Sequence, residues 1–238
     1  MTTATTRPTA VERLTLELFD GAAGDALAEE VAAWLSGSRR FRAFAEANRD
    51  KIRKKLRGAR DAEARWDVLA ELRAAQLLLA DRRIELTFEA YGSRKPGPDF
   101  TVVYRAARSF NLEVTRMRRS GDAARHRLLL AKLRQLPPSI PNVLVVAIEG
   151  DTAEAFDVAA ATRALLARAT ATDETFFTMR GFRGTREFHD RYLRLGAVMV
   201  WCEAAAVDGR ATLWINRSAR IAAPERALGA CFLSLRAG

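Results

Sequence analysis

Residues 98–115 read PDFTVVYRAARSFNLEVT, and the fold turns on this stretch. Residues 99–104 and 110–117 both read as strands, the second with strong alternation. Side chains alternate across a strand, so Phe110, Leu112 and Val114 share one face, and Asn111, Glu113 and Thr115 share the other. Glu113 is therefore a carboxylate in the middle of a strand. A lone buried charge is expensive, so it needs a partner. A hard divalent cation would serve, because such ions take carboxylate oxygens and water and need few protein ligands. Asp99 opens the preceding strand directly after Gly97-Pro98, which places a second carboxylate on the neighbouring strand.

The surrounding sequence extends the pattern. Residues 84–90 alternate as another strand, and residues 91–98 (YGSRKPGP) form a turn cluster. Residues 122–136 read as a helix with Leu129, Leu130, Leu133 and Leu136 apolar, stopped by Pro137 and Pro138. Asn142–Ile148 (NVLVVAI) is an uninterrupted apolar run, as expected of a strand covered on both faces. An Ala-rich helix over 153–168, strands at 197–202 and 211–216 and a closing helix at 224–232 follow. Upstream, 61–80 is the clearest helix, with Val68, Leu72, Ala75 and Leu79 on one side. Glu71 lies about 60° from the centre of that apolar face by the helical period. Residues 39–60 read as one basic helix carrying Phe41, Phe44, Ile52 and Leu56, ending near Gly58. A break at residues 36–38 (SGS) precedes it, and residues 11–35 read as amphipathic helix broken near Gly21–Gly24, where an Asp-Gly turn sits.

Helix, three strands, helix, buried strand, helix and two further strands describe an α/β chain with a mixed central sheet and helices on both faces. The expected division is a disordered tail over 1–10, a basic helical N-terminal region over 11–60, and an α/β core over 61–238 with C-terminal strands and a helix. The 238 residues suffice for one large domain or two small ones, and 49% hydrophobic content excludes disorder as the main state. No apolar run approaches the ~20 residues that span a bilayer. Residues 1–10 lack the apolar core of a secretory signal, and two cysteines allow one bridge at most, so the expected compartment is the cytoplasm.

Charge narrows the partner. Lys and Arg number 39 against 29 Asp and Glu, a net charge of +10. Residues 38–60 carry ten basic and two acidic side chains (+8), and residues 105–134 carry nine and two (+7). The remainder is net negative, so the excess is concentrated in two blocks, as a polyanionic partner requires. The expected partner is nucleic acid, DNA before RNA, contacted by Arg53, Lys54, Lys55 and Arg57. No membrane partner is expected, and a homodimer is compatible with the sequence. The bland alternative is an arginine-rich solvated surface.

Several chemistries lack their motifs. There is no G-x-x-x-x-G-K-[ST], no G-x-G-x-x-G after a strand and no G-x-S-x-G. His189 and Asp190 are adjacent, and adjacent helical residues do not face each other. His126 beside an apolar helix face reads as a packed histidine.

The order of elements over 61–148, with Glu71, Pro98-Asp99 and Glu113-Val114-Thr115, resembles the PD-(D/E)XK, or restriction-endonuclease-like, nuclease superfamily. The resemblance implies a restriction-endonuclease-like core and Mg²⁺- or Mn²⁺-dependent phosphodiester hydrolysis. It implies metal ligation by Asp99 and Glu113, with Glu71 as the helical acid of many members. The family's lysine, two residues after the second acid, falls on Thr115. Arg116 points to the opposite face, so the basic group would be recruited from Lys132 on the following helix or from Lys95. Glu71, Asp99, Glu113 and Lys132 are the expected catalytic set. The alternative is a nuclease-like core without catalysis, serving as a nucleic-acid-binding or assembly module, or a structural role for each acid, Glu71 pairing with an arginine, Asp99 capping a turn and Glu113 making an ion pair.

Overall fold

The computed structural model describes residues 8–21, 25–90, 97–118, 121–148, 153–202, 204 and 207–237. Of the tail expected over 1–10, residues 1–7 lie outside the described residues, as do most of the 91–98 turn cluster and Lys95, while Thr9 and Ala10 are ordered as the cap and first residue of a helix. The chain divides into two compact units, Met1–Ala80 and Asp81–Gly238. The line drawn from sequence, at 60/61, grouped the helix over 61–80 with the core instead.

The first unit is helical: α1 (Ala10–Leu18), α2 (Ala26–Gly37), α3 (Arg39–Ala47), α4 (Arg49–Gly58) and α5 (Ala62–Leu78). Thr9 caps α1 in a reciprocal box with Glu12, satisfying two amide donors that the helix leaves open. Gly21, at φ 78°, follows the helix in the left-handed region glycine tolerates. Ser36 and Gly37 belong to α2. The break falls at Ser38, whose hydroxyl accepts from the Phe41 amide and starts α3. The single helix read over 39–60 is two, parted at Asn48, whose side-chain amide donates to the Phe44 carbonyl. The split lets Phe41 and Ile52 both reach full burial. In α5, Val68, Leu72 and Ala75 are buried, with Leu79 just past its end.

The second unit holds β1 (Ile84–Phe88), β2 (Phe100–Tyr104), β3 (Arg108–Met117), α6 (Asp122–Leu133), β4 (Asn142–Ile148), α7 (Val158–Thr170), α8 (Glu174–Thr178), α9 (Thr185–Tyr192), β5 (Leu195–Cys202), β6 (Ala211–Ile215) and α10 (Glu225–Ala237). The six strands form one mixed sheet in sequence order. β1, β2 and β3 pair antiparallel, β3, β4 and β5 pair parallel, and β6 returns antiparallel. The two parallel steps require crossovers, which α6 and α7–α9 supply.

Leu129, Leu130 and Leu133 of α6, Leu165 of α7, and Phe177 and Phe188 of α8 and α9 pack with Leu144 and Val146 of β4 and Val198 and Val200 of β5. Each large apolar side chain so buried contributes about 1.5–3 kcal/mol. α10 packs on β5 and β6, and its buried residues lie outside that cluster, so it covers the other face. The short helices α8 and α9 were not foreseen. They are too short to show helical periodicity and are held by tertiary contacts of Phe177 and Phe188, whose rings lie 4.5 Å apart. Among the described residues no helix is long and apolar enough to cross a membrane.

Candidate functional site

The last β2–β3 pair joins Phe100 to Leu112. Asp99 and Glu113 are the next residues along, where β2 ends and β3 continues. On β3 the parallel register sets Glu113 beside Leu144, Thr115 beside Val146 and Met117 beside Ile148. Leu144, Val146 and Ile148 face the α6–α9 cluster, so Glu113 and Thr115 share the α6 side of the sheet.

Both carboxylates are buried: Asp99 is 9% exposed and Glu113 7%. Asp99 Oδ2 accepts the Val114 amide at 2.8 Å. The side chain thereby stands where a strand backbone would pair, which pins it against the residue following Glu113. Glu113 Oε1 accepts from Lys132 Nζ at 2.5 Å. Lys132 lies in the last turn of α6 and reaches back to the sheet with an aliphatic stem that stays partly buried. In the second unit the structure thus pairs Lys132 with Glu113 and holds the Asp99 carboxylate on the β3 backbone at the following residue.

Glu71 belongs to the first unit, on α5, where its Oε2 accepts from Lys55 Nζ of α4 at 2.5 Å. Of the four residues expected to contact nucleic acid, Lys55 is therefore engaged by Glu71. Arg53 donates to Asp20 Oδ1 at 2.6 Å, and Arg57 grips Asp20 through both Nε and Nη2. The two arginines hold the Asp20 carboxyl down to about 2, well below its ordinary value. Lys54 is exposed on α4 and makes no ion pair among the described residues. The basic block is thus partly internal glue between α1 and α4. Sequence reading missed Asp20 as the acceptor of two arginines, because the Asp-Gly pair signalled only a turn.

It also missed a buried amide network. Asn111 Nδ2 donates to Asn142 Oδ1 at 3.0 Å, and Asn142 Nδ2 contacts the carbonyls of Pro137 (2.9 Å), Ile140 (3.2 Å) and Arg194 (3.0 Å). Asn111 sits two residues before Glu113 on the same face, and that alternation was the available signal. His189 and Asp190 do not act on each other: Asp190 accepts from Arg220 at 3.4 Å, and the His189 ring lies against Tyr192. Burial, with Arg168, Arg180 and Arg125 nearby, pushes the His126 imidazole below its ordinary pKa, as suits a packed histidine.

Among the described residues no three His, Cys, Asp or Glu side chains converge as a metal-holding group. The local donor set is the pair Asp99 and Glu113. Two carboxylates suit Mg²⁺ or Mn²⁺, since small hard cations keep several waters and are bound through one or two carboxylates plus substrate phosphate oxygens. A carboxylate has about four lone-pair sites, so the Val114 and Lys132 contacts do not by themselves exhaust either group. No protein-family model, no curated protein and no solved structure matches this chain.

Proposed function

We propose that the chain is a metal-dependent phosphodiesterase acting on nucleic acid, with a restriction-endonuclease-like core in its second unit. One observation carries this reading: two buried carboxylates, Asp99 just before β2 and Glu113 in the middle of β3, occupy the register positions next to the Phe100–Leu112 pair, with an ammonium, Lys132, on Glu113. The antiparallel β1–β2–β3 run followed by the α6 crossover to a parallel β4 supports it.

Asp99 and Glu113 would hold Mg²⁺ or Mn²⁺, which supplies charge neutralisation at phosphate and an acidified water. Asp99 is oriented by the Val114 amide, so its position is set by the β3 backbone. Lys132 places a fixed positive charge where a phosphate oxygen gains negative charge, replacing the lysine absent at Thr115. A preorganised charge of this kind acts strongly where water is excluded. Glu71 lies in the other unit, paired with Lys55, and takes no part in this scheme; the exposed cations of α4, Lys54 first, would engage the strand through its phosphates.

A second reading rests on the Lys132–Glu113 pair itself. A lysine already neutralising the motif carboxylate, together with Thr115 in the motif position, describes an inactive nuclease-like module that binds nucleic acid without cutting it. Nicking of supercoiled plasmid in Mg²⁺, Mn²⁺ or EDTA separates the two. Metal-dependent nicking by the wild type that Asp99→Ala abolishes supports the enzyme. Binding without nicking in any metal overturns it in favour of the module.

A further inference from the structure

At the end of the β2–β3 hairpin remote from Asp99, a cavity of about 490 Å³ opens between the hairpin turn and the start of α10. Tyr104, Arg105 and Arg108 line one side, and Ala223, Pro224 and Arg226 the other. All three arginines are exposed, and none makes an ion pair among the described residues. Glu225, the acid in the lining, is engaged by Arg217 at 2.7 Å. Many arginines elsewhere are matched with acids, as at Asp20, Asp25 and Asp81. Three unmatched guanidiniums around one hollow repel each other, and an anion relieves that repulsion. The positive end of α10 adds to the same field.

The turn itself is strained. Arg105 and Ala106 both hold left-handed backbone, at φ 52° and 53°, in a turn closed by the Ala107 amide on the Tyr104 carbonyl at 3.2 Å. Asn-Gly would take this turn readily, so arginine here is poor turn chemistry. The Arg105 guanidinium is stationed 5.4 Å from the centre of the Tyr104 ring, which orders it at the cavity wall.

Guanidinium forks match phosphate oxygens in a bidentate fashion. The volume falls in the ligand-site range of about 300–1,000 Å³ and exceeds what a lone phosphate fills. The alanine and proline wall offers an apolar surface for the rest of the ligand. We infer that this cavity binds a phosphate-bearing ligand of nucleotide size, its phosphates on Arg105, Arg108 and Arg226 and its remaining part against Ala223 and Pro224. The site is separate from Asp99: five residues of β2 put the turn roughly 16 Å away. The inference therefore stands or falls independently of cleavage.

The phosphate has two sources, a free nucleotide or the end of a nucleic-acid strand. Calorimetry on the full chain in EDTA, where metal-dependent cutting is off, compares ATP, inorganic pyrophosphate, and a short single-stranded oligonucleotide with and without a 5′-phosphate. The expected result is ATP binding stronger than pyrophosphate binding, weakened about ten- to hundredfold by Arg108→Gln and further by adding Arg226→Gln. Arg163→Gln, on the exposed side of α7 and outside the cavity lining, leaves it unchanged. Arg108→Lys, which keeps the charge and loses the fork, falls between. A 5′-phosphorylated oligonucleotide that outbinds both ATP and its unphosphorylated form, and depends on Arg108, assigns the phosphate to a strand end. Absence of binding by every probe overturns the inference, as does binding indifferent to the double substitution. ATP bound no more tightly than pyrophosphate overturns the size assignment.

Discussion

Lys132 of α6 and Glu113 of β3 form an ion pair, Nζ to Oε1 at 2.5 Å, across the helix–sheet layer of the second unit. Glu113 is nearly buried and Lys132 about one-fifth exposed, so solvent screens the pair only in part. Removing either partner leaves a charge in a poorly solvated place. A urea-denaturation cycle over Lys132→Met, Glu113→Gln and the double variant should give a coupling of about 1–3 kcal/mol. A coupling near zero would show that the contact does not hold α6 to the sheet.

The same lysine has a separate kinetic test. If the proposed chemistry runs through Lys132, Lys132→Ala should cut plasmid nicking by about 10²–10³ while leaving Mn²⁺ affinity intact. Thr115→Lys in that background should restore part of the rate, since residue 115 shares the face of Glu113. Undiminished nicking by Lys132→Ala would remove the lysine from the reaction.

Asp20 makes acid stability legible. Its folded-state value is about 2 against an ordinary 3.8, so the unfolded chain binds the proton more readily. Stability from this group is complete above 3.8 and is lost as pH falls toward 2. Asp20→Asn should flatten the acid limb of a helicity-against-pH curve in that window. An unchanged limb would mean the Arg53 and Arg57 contacts are absent in solution.

Lys54 and Arg57 should separate binding from folding. Lys54→Gln should lower the slope of log K against log salt by about 0.9, one phosphate contact, without changing the urea midpoint. Arg57→Gln should lower the midpoint, because it opens the Asp20 clamp. If Lys54→Gln leaves the slope untouched, the nucleic-acid surface lies off this face of α4.

Asn142 offers a sharper stability contrast. Its side-chain amide serves three backbone carbonyls, so Asn142→Ala should cost about 1–3 kcal/mol. Asn142→Asp should cost more, because it sets a carboxylate against those carbonyl oxygens. Urea midpoints ranked wild type, Ala, Asp would bear this out; equal midpoints for Ala and Asp would contradict it.

Alternation in 110–115, the apolar run NVLVVAI and the proline stop after α6 are local signals, and they determined the strands, the crossover helix and the α/β class. The sequence also singled out Glu113 by its place mid-strand, Asp99 by opening a strand after Gly97-Pro98 and Glu71 by its place beside an apolar helix face, while Lys132 entered only through the resemblance, as a stand-in for the lysine missing at Thr115. Spacing cannot state which charges meet. Lys55 with Glu71, Arg53 and Arg57 with Asp20, and Lys132 with Glu113 join residues 16 to 37 positions apart, and only packing brings them within reach. The Asn48 break in the basic helix and the aromatic anchoring of α8 and α9 were likewise decided by burial. A local propensity of tenths of a kcal/mol gives way where a phenylalanine gains about 1.5–3 kcal/mol by reaching the core.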